Sequence, residues 1–131
     1  MAKYRNEKLN RLIAVTKALS DENRVRVLMA LKDREICVCQ LVELLGLSPS
    51  TVSKHLSILE QAGLLIRRKE GKWHYYRLTD PSRSPISAMA IEWVKQSLNN
   101  DSHILSDYKR MDSILKISPE ALCCRITGAK R

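Results

Sequence analysis

Cysteine offers the most specific chemistry in this sequence. The four cysteines stand as two close pairs, Cys37/Cys39 and Cys123/Cys124. In a reducing compartment, paired thiols point to metal binding or redox sensing before structural disulfides. Neither pair has the C-x-x-C spacing of a zinc ribbon or a thioredoxin-type site. The second chemical signal is charge. Lysine and arginine number 23 against 14 acidic residues, a net charge of +9. Such a field favours polyanions, a class that includes nucleic acids, ribosomal RNA and membrane surfaces. Arg67, Arg68, Lys69, Lys72 and Arg77 fall within eleven residues, which concentrates the charge in one segment.

The elements that would position these groups can be read from periodicity. Leu9, Leu12, Ile13, Thr16 and Leu19 follow helical spacing, so residues 6 to 19 read as a first helix. Ser20 or Asp21 then caps a second, DENRVRVLMALKD, with acidic residues in its first turn. A third short helix covers about 38 to 45 and ends at Gly46. Ser48 followed by Pro49 opens a fourth, which runs to Gln61 or Ala62 and stops at Gly63. LLIRRK and KWHYYRL then read as two strands joined across Glu70-Gly71. Pro81 and Pro85 bracket a loop. Beyond it Ile86, Ala90, Trp93, Val94 and Leu98 lie on one helical face, and Ile104, Tyr108, Met111 and Leu115 on another. Residues from Ser118 onward read as a less ordered tail. The expected fold is mostly α with a small β-hairpin, a winged helix-turn-helix in the order α-α-α-α-β-β-α. Residues 1–117 would form the winged-helix domain, and 118–131 a cysteine-containing C-terminal tail.

The fourth helix carries its own argument for nucleic acid. With Val52 pointing inward, Leu56 and Leu59 share its face, while Ser50, Lys54, Ser57 and Gln61 project from the opposite one, with Thr51 and Ser53 nearby. Small polar side chains let a helix seat deeply in a major groove, where hydroxyl, amide and ammonium groups reach base edges and phosphates. An ordinary solvated face would carry more long glutamates and lysines. His55 sits at the edge of the two faces, suited to a phosphate contact or to a hydrogen bond with the neighbouring helix. At the wing, Arg67, Lys69 and Lys72 are the expected phosphate contacts, and Arg68 is the basic residue least expected to make one. Trp73, Tyr75 and Tyr76 read as wing and core packing.

The stretch REICVCQLVELLGLSPSTVSKHLSILEQAGLLIRRKEGKWHYYRL resembles the ArsR/SmtB family of metal-sensing bacterial repressors, its arsenic-responsive branch in particular. The resemblance runs from about Leu12 to Leu98. Its most specific parts are E-x-C-V-C at Glu35 to Cys39, S-x-x-S-x-H-L at Ser50 to Leu56, and G-K-W-x-x-Y-R-L at Gly71 to Leu78. It implies a homodimer, paired through the Leu9–Leu19 and Ile86–Leu98 faces, that sits on double-stranded operator DNA and leaves it when As(III) or Sb(III) binds. No organic cofactor, membrane partner or enzymatic activity is implied. One position departs: the branch often has a third cysteine three residues after the second, and Val42 stands there.

Trivalent arsenic and antimony prefer two or three thiolates, following the logic of soft ligands. Cys37 and Cys39 at the start of the third helix are expected to have lowered pKa values from its amides and dipole. In a regular helix residues i and i+2 point about 200° apart, so holding one ion would distort the first turn. Cys123 and Cys124 could complete that site, form a separate one, or be incidental. The zinc-type site of the family is not expected: Asp101 and His103 lack a second downstream histidine, though four thiolates could still hold zinc or cadmium. The alternative function is a repressor of the same fold controlled by thiol oxidation. The opening MAKYRNEKLNRL lacks the apolar core of a secretory signal and no apolar run is membrane-length, so a cytoplasmic location is expected.

Overall fold

The computed structural model describes residues 7–127, and its account of side chains extends to Cys123. Helix α1 spans Glu7–Ala18 and α2 Glu22–Ala30; a short strand β1, Ile36–Cys37, precedes α3, Val38–Leu45. Helix α4 covers Pro49–Gln61, followed by the wing strands β2, Leu65–Glu70, and β3, Trp73–Leu78. Three helices close the described chain: α5, Pro85–Leu98; α6, Ser102–Ile114; and α7, Pro119–Thr127. Among the described residues, no helix is long and apolar enough to cross a membrane.

Local chemistry sets the boundaries. Asp21 caps α2 by accepting from the amides of Asn23 at 2.8 Å and Arg24 at 3.2 Å. Gly46 ends α3 at φ +68°, a left-handed turn that a side chain would strain. Two residues later Ser48 Oγ accepts from the Thr51 amide at 3.3 Å, and Pro49 occupies the first turn of α4. The helix-turn-helix is therefore punctuated at each joint by a residue suited to it.

The antiparallel sheet has the order β1-β3-β2. The wing hairpin pairs Leu65 with Leu78 through to Glu70 with Trp73, and Gly71 turns its tip at φ +62°. Strand β1 adds to the free edge of β3, with Ile36 opposite Tyr76 and Cys37 opposite Tyr75. This strand is absent from the expected element order. Two apolar residues carry too little periodic signal to separate from the helix they precede.

One core takes Val15 and Ala18 from α1, Val27 and Leu28 from α2, Leu41 and Leu44 from α3, and Val52, Leu56 and Leu59 from α4. Tyr76, Ile91, Met111 and Leu122 complete it from the wing and the last three helices. Asp107 is buried, and Arg26 grips it through Nε at 2.8 Å and Nη2 at 3.2 Å, tying α6 to α2. Along α5, Ile91 and Val94 turn inward, while Trp93 is 66 % exposed and Met89 72 %, so Trp93 stays on the outward part of the face expected to meet a second copy. Leu9, Leu12 and Ile13 of α1 are likewise exposed.

Residues 119–127 are helical instead of a less ordered tail. Their anchor is Leu122, fully buried in the core, with α7 lying on α3. Leu122→Ala should therefore cost about 2–4 kcal/mol of unfolding free energy, measured by urea denaturation. A change within a few tenths of a kcal/mol would mean that α7 does not share the core.

Candidate nucleic-acid interface and thiol cleft

The outer surface of α4 follows from its inner one. With Val52, Leu56 and Leu59 fully buried, Ser50, Thr51, Ser53, Lys54, Ser57 and Gln61 are all exposed. They form one small, polar stripe with a single cation, Lys54. His55 is half-buried, and its Nδ1 lies 3.1 Å from Nη1 of Arg24, so it does bond the neighbouring helix.

The wing presents Arg67, Lys69 and Lys72 outward. Arg67 lies 3.6 Å from Glu60, a loose pair that a phosphate can displace, and Lys72 sits over the Trp73 ring at 5.1 Å. Lys69 makes no ion pair among the described residues. Arg68 is differently engaged. It holds Glu35 through Nε at 3.0 Å and Nη2 at 2.6 Å, reaches Glu70 at 2.5 Å, and covers the Tyr75 ring. Its guanidinium is already engaged by two carboxylates, unlike those of its neighbours on the wing. The same pair holds the Glu35 carboxyl below its ordinary pKa. Sequence reasoning did not find this clamp, because nothing in the spacing of Glu35 and Arg68 marks them as partners across a sheet.

The cysteines are positioned by β1, α3 and α7. Cys37 is the second residue of β1 and the N-cap of α3, with extended backbone at φ −81°, ψ 151°. Its N–H donates to Gln40 Oε1 at 2.9 Å, and its side chain is 1 % exposed. Because Cys37 precedes the first helical residue, the 200° separation expected for two helical positions does not apply. Cys37 and Cys39 line one cleft, and Cys123, carried there by α7, lines it too. The side chain of Cys124 lies outside the described residues.

The thiols are not activated in the way a helix N-terminus suggests. Burial pushes the Cys37 thiol up, outweighing the nearby amides of Cys39 and Val38. Cys39 is pushed up to about 12, first by burial and then by the adjoining thiols of Cys123 and Cys37. Desolvation of an anion here exceeds what the helix dipole returns. Among the described residues, no group of three His, Cys, Asp or Glu side chains is arranged to hold a metal ion as it stands. The three thiols share a cleft without yet forming a coordination shell, and closing one requires movement.

That cleft, of about 770 Å³, is lined by more than the thiols. It is lined by Ser53, Ser57 and Gln61 of α4 and by Arg67, Lys72 and Trp73 of the wing. The structure thus brings thiols and candidate DNA-facing groups around one space.

The raised thiol values carry a sign. The folded state keeps its protons where an unfolded thiol, ordinarily near 9.0, releases them. The unfolded state then binds fewer protons, so stability should fall as pH rises from about 8 to about 10. Urea titrations of the wild type and Cys39→Ser across that interval test this. The decline should be shallower in the variant, and an equal decline in both would contradict the burial argument.

Comparison with known proteins agrees with this geometry. Residues 21–67 match the family described as bacterial regulatory protein, arsR family. The arsenic resistance transcriptional regulator ArsR2 of Pseudomonas putida is 34 % identical over 115 residues, covering 84 % of this chain and 95 % of that one. The arsenical resistance operon repressor of Escherichia coli is 43 % identical over 68 residues, but the match spans 51 % of this chain and only 58 % of that relative. Among solved structures, a homodimeric winged helix-turn-helix DNA-binding domain from Mycobacterium bovis, of a possible ArsR-family regulator, aligns with TM-score 0.61 and 26 % identity. The alignment covers 73 % of this chain and 85 % of that one. The fold, the polar reading helix, the basic wing and the 34 % identity across nearly the whole of the ArsR2 relative together make this chain a member of the ArsR family of bacterial transcriptional regulators.

Proposed function

We propose that the chain is a metalloid-responsive repressor that binds palindromic operator DNA as a homodimer and is released when As(III) or Sb(III) engages Cys37, Cys39 and Cys123. The observation that carries this reading is the shared cleft, lined both by the thiols and by Ser53, Ser57, Gln61, Arg67 and Lys72. The exposed apolar residues of α1 and α5 supply a face for a second copy, and the Mycobacterium bovis relative is described as homodimeric. A twofold axis through that face would set two α4 helices in successive major grooves, about 34 Å apart. Ser50, Thr51, Ser53, Lys54, Ser57 and Gln61 would read bases and nearby phosphates, with His55, Arg67, Lys69 and Lys72 on the backbone.

High thiol pKa values are no obstacle to arsenite. Arsenous acid carries three hydroxyl groups, and exchange forms three As–S bonds while each thiol proton leaves with a hydroxyl as water. Nothing is oxidised or reduced, and no free thiolate is needed in the net reaction. Cys123 then occupies the role left open by Val42. Its source on α7 differs from the family motif, but three sulfurs complete the pyramid that a trivalent metalloid prefers.

Release follows from where the sulfurs are attached. Cys37 is hydrogen-bonded into the wing sheet opposite Tyr75, Cys39 belongs to α3, which packs on α4, and Cys123 belongs to α7. Drawing them to one ion moves β1 against α3, and with them the wing against the reading helix. DNA favours the open arrangement and the metalloid the closed one, so each ligand weakens the other.

A second reading rests on the adjacency of Cys39 and Cys123. Peroxide could join these thiols as a disulfide, with two waters as the other products, and reach the same endpoint. Fluorescence anisotropy on a palindromic promoter duplex separates the two readings. Arsenite should release the wild type, and Cys37→Ser, Cys39→Ser and Cys123→Ser should each remain bound at arsenite levels that empty the wild type. Release by peroxide with no response to arsenite would replace the metalloid reading with the redox one.

A further inference from the structure

Arg24, in the first turn of α2, joins three helices through one guanidinium. Its Nε donates to the Ala18 carbonyl at 2.7 Å, at the end of α1, and its Nη2 adds to the Lys17 carbonyl at 3.3 Å, which also accepts from Ser20. The remaining nitrogen, Nη1, lies 3.1 Å from Nδ1 of His55 on α4. Arginine has donors and no acceptor, so at this contact the imidazole nitrogen must accept. A ring accepting at Nδ1 is neutral and carries its proton on Nε2. Among the described residues that Nε2 takes no hydrogen bond, and it is not a buried orphan, a condition found only at His74 Nδ1. Asp21 also faces the ring, but one of its oxygens is occupied by the amides of Asn23 and Arg24. A directed N–H is thus left accessible beside Thr51 and Lys54.

We propose that His55 holds a DNA phosphate through this N–H as a neutral donor, and that Arg24, bonded behind it, is the positioning residue that fixes its tautomer and ring. This rests on α4 being the DNA-reading helix. It has a consequence that a cationic contact would not share. A neutral donor neutralises no phosphate charge and displaces no counterion, so its loss should lower affinity without changing the salt dependence.

The test combines two measurements on the full chain. Nitrogen-15 NMR of histidine-labelled protein reads the tautomer directly, and should show His55 protonated at Nε2. Anisotropy titrations then use a palindromic duplex enriched by the protein from a random pool, over a range of salt concentrations. His55→Ala should weaken binding about tenfold, the scale of a hydrogen bond to a charged group, with the slope of log K against log salt unchanged. Lys54→Ala should weaken binding and reduce that slope by about 0.9. His55→Asn, whose amide oxygen can still accept from Arg24, should fold like the wild type and bind as weakly as His55→Ala. Arg24→Ala should match the His55→Ala loss, and the double variant should lose no more than either alone. If Arg24→Ala unfolds, the tautomer and the two His55 variants still decide. Protonation at Nδ1, a slope that falls with His55→Ala as it does with Lys54→Ala, or unchanged affinity in His55→Asn would overturn the proposal. Failure to enrich any duplex, or unchanged affinity in both Lys54→Ala and Gln61→Ala, would instead remove its premise, the assignment of α4.

Discussion

Cys37 occupies a junction on which both halves of the molecule depend. Its backbone belongs to the sheet opposite Tyr75, its amide is capped by Gln40, and its side chain is buried at the start of α3. A buried thiol is a weak polar group that packs as a small hydrophobe, so the junction costs little to close. The same thiol is a strong ligand for a soft ion. One residue can therefore hold the wing to the helix-turn-helix in one state and loosen that joint in another. A serine would fit sterically but would bring a hydroxyl that needs a partner, and a valine would fit without offering any ligand.

The wing is anchored accordingly. Glu35 lies two residues before Cys37 and is bound by Nε and Nη2 of Arg68, while Ile36 extends the sheet onto Tyr76. A bidentate pair of this kind transmits orientation better than a single contact. The wing strand, Cys37 and the start of α3 are consequently held as neighbours. At the other end of α3, Arg110 donates to the carbonyls of Leu44 at 2.8 Å and Glu43 at 3.1 Å. Helix α3, which follows Cys37 and packs on α4, is thus held at its far end by an arginine of α6. Any ligand that draws Cys123 inward acts on a helix with little freedom to absorb the change locally.

Much of this was legible from residue types alone. The serine-proline and glycine punctuation around α4 located the reading helix, because those side chains satisfy end groups or adopt torsions that others resist. Alternation of apolar and polar positions on α4 identified its exposed stripe, and the Glu70-Gly71 joint located the wing tip. What escaped was contact between distant segments. Strand β1 is too short for a periodic signal, and the partnership of Glu35 with Arg68 is created only by strand pairing. The order of residues 119–127 rests on Leu122 finding the core. Expecting activated thiols at Cys37 and Cys39 failed for a related reason, since helix position is visible in sequence whereas desolvation depends on what covers the site. Trp93 shows the converse: its helical phase placed it on the Ile86–Leu98 face expected to meet a second copy, and one chain leaves it exposed.

X-ray absorption at the arsenic edge of the arsenite-loaded protein tests the central claim most directly. Three sulfur neighbours in the wild type, with one replaced by oxygen in Cys123→Ser, is the result that follows from a site shared by Cys37, Cys39 and Cys123. A first shell of two sulfurs and one oxygen in the wild type, unchanged in Cys123→Ser, would contradict it and confine the metalloid to Cys37 and Cys39.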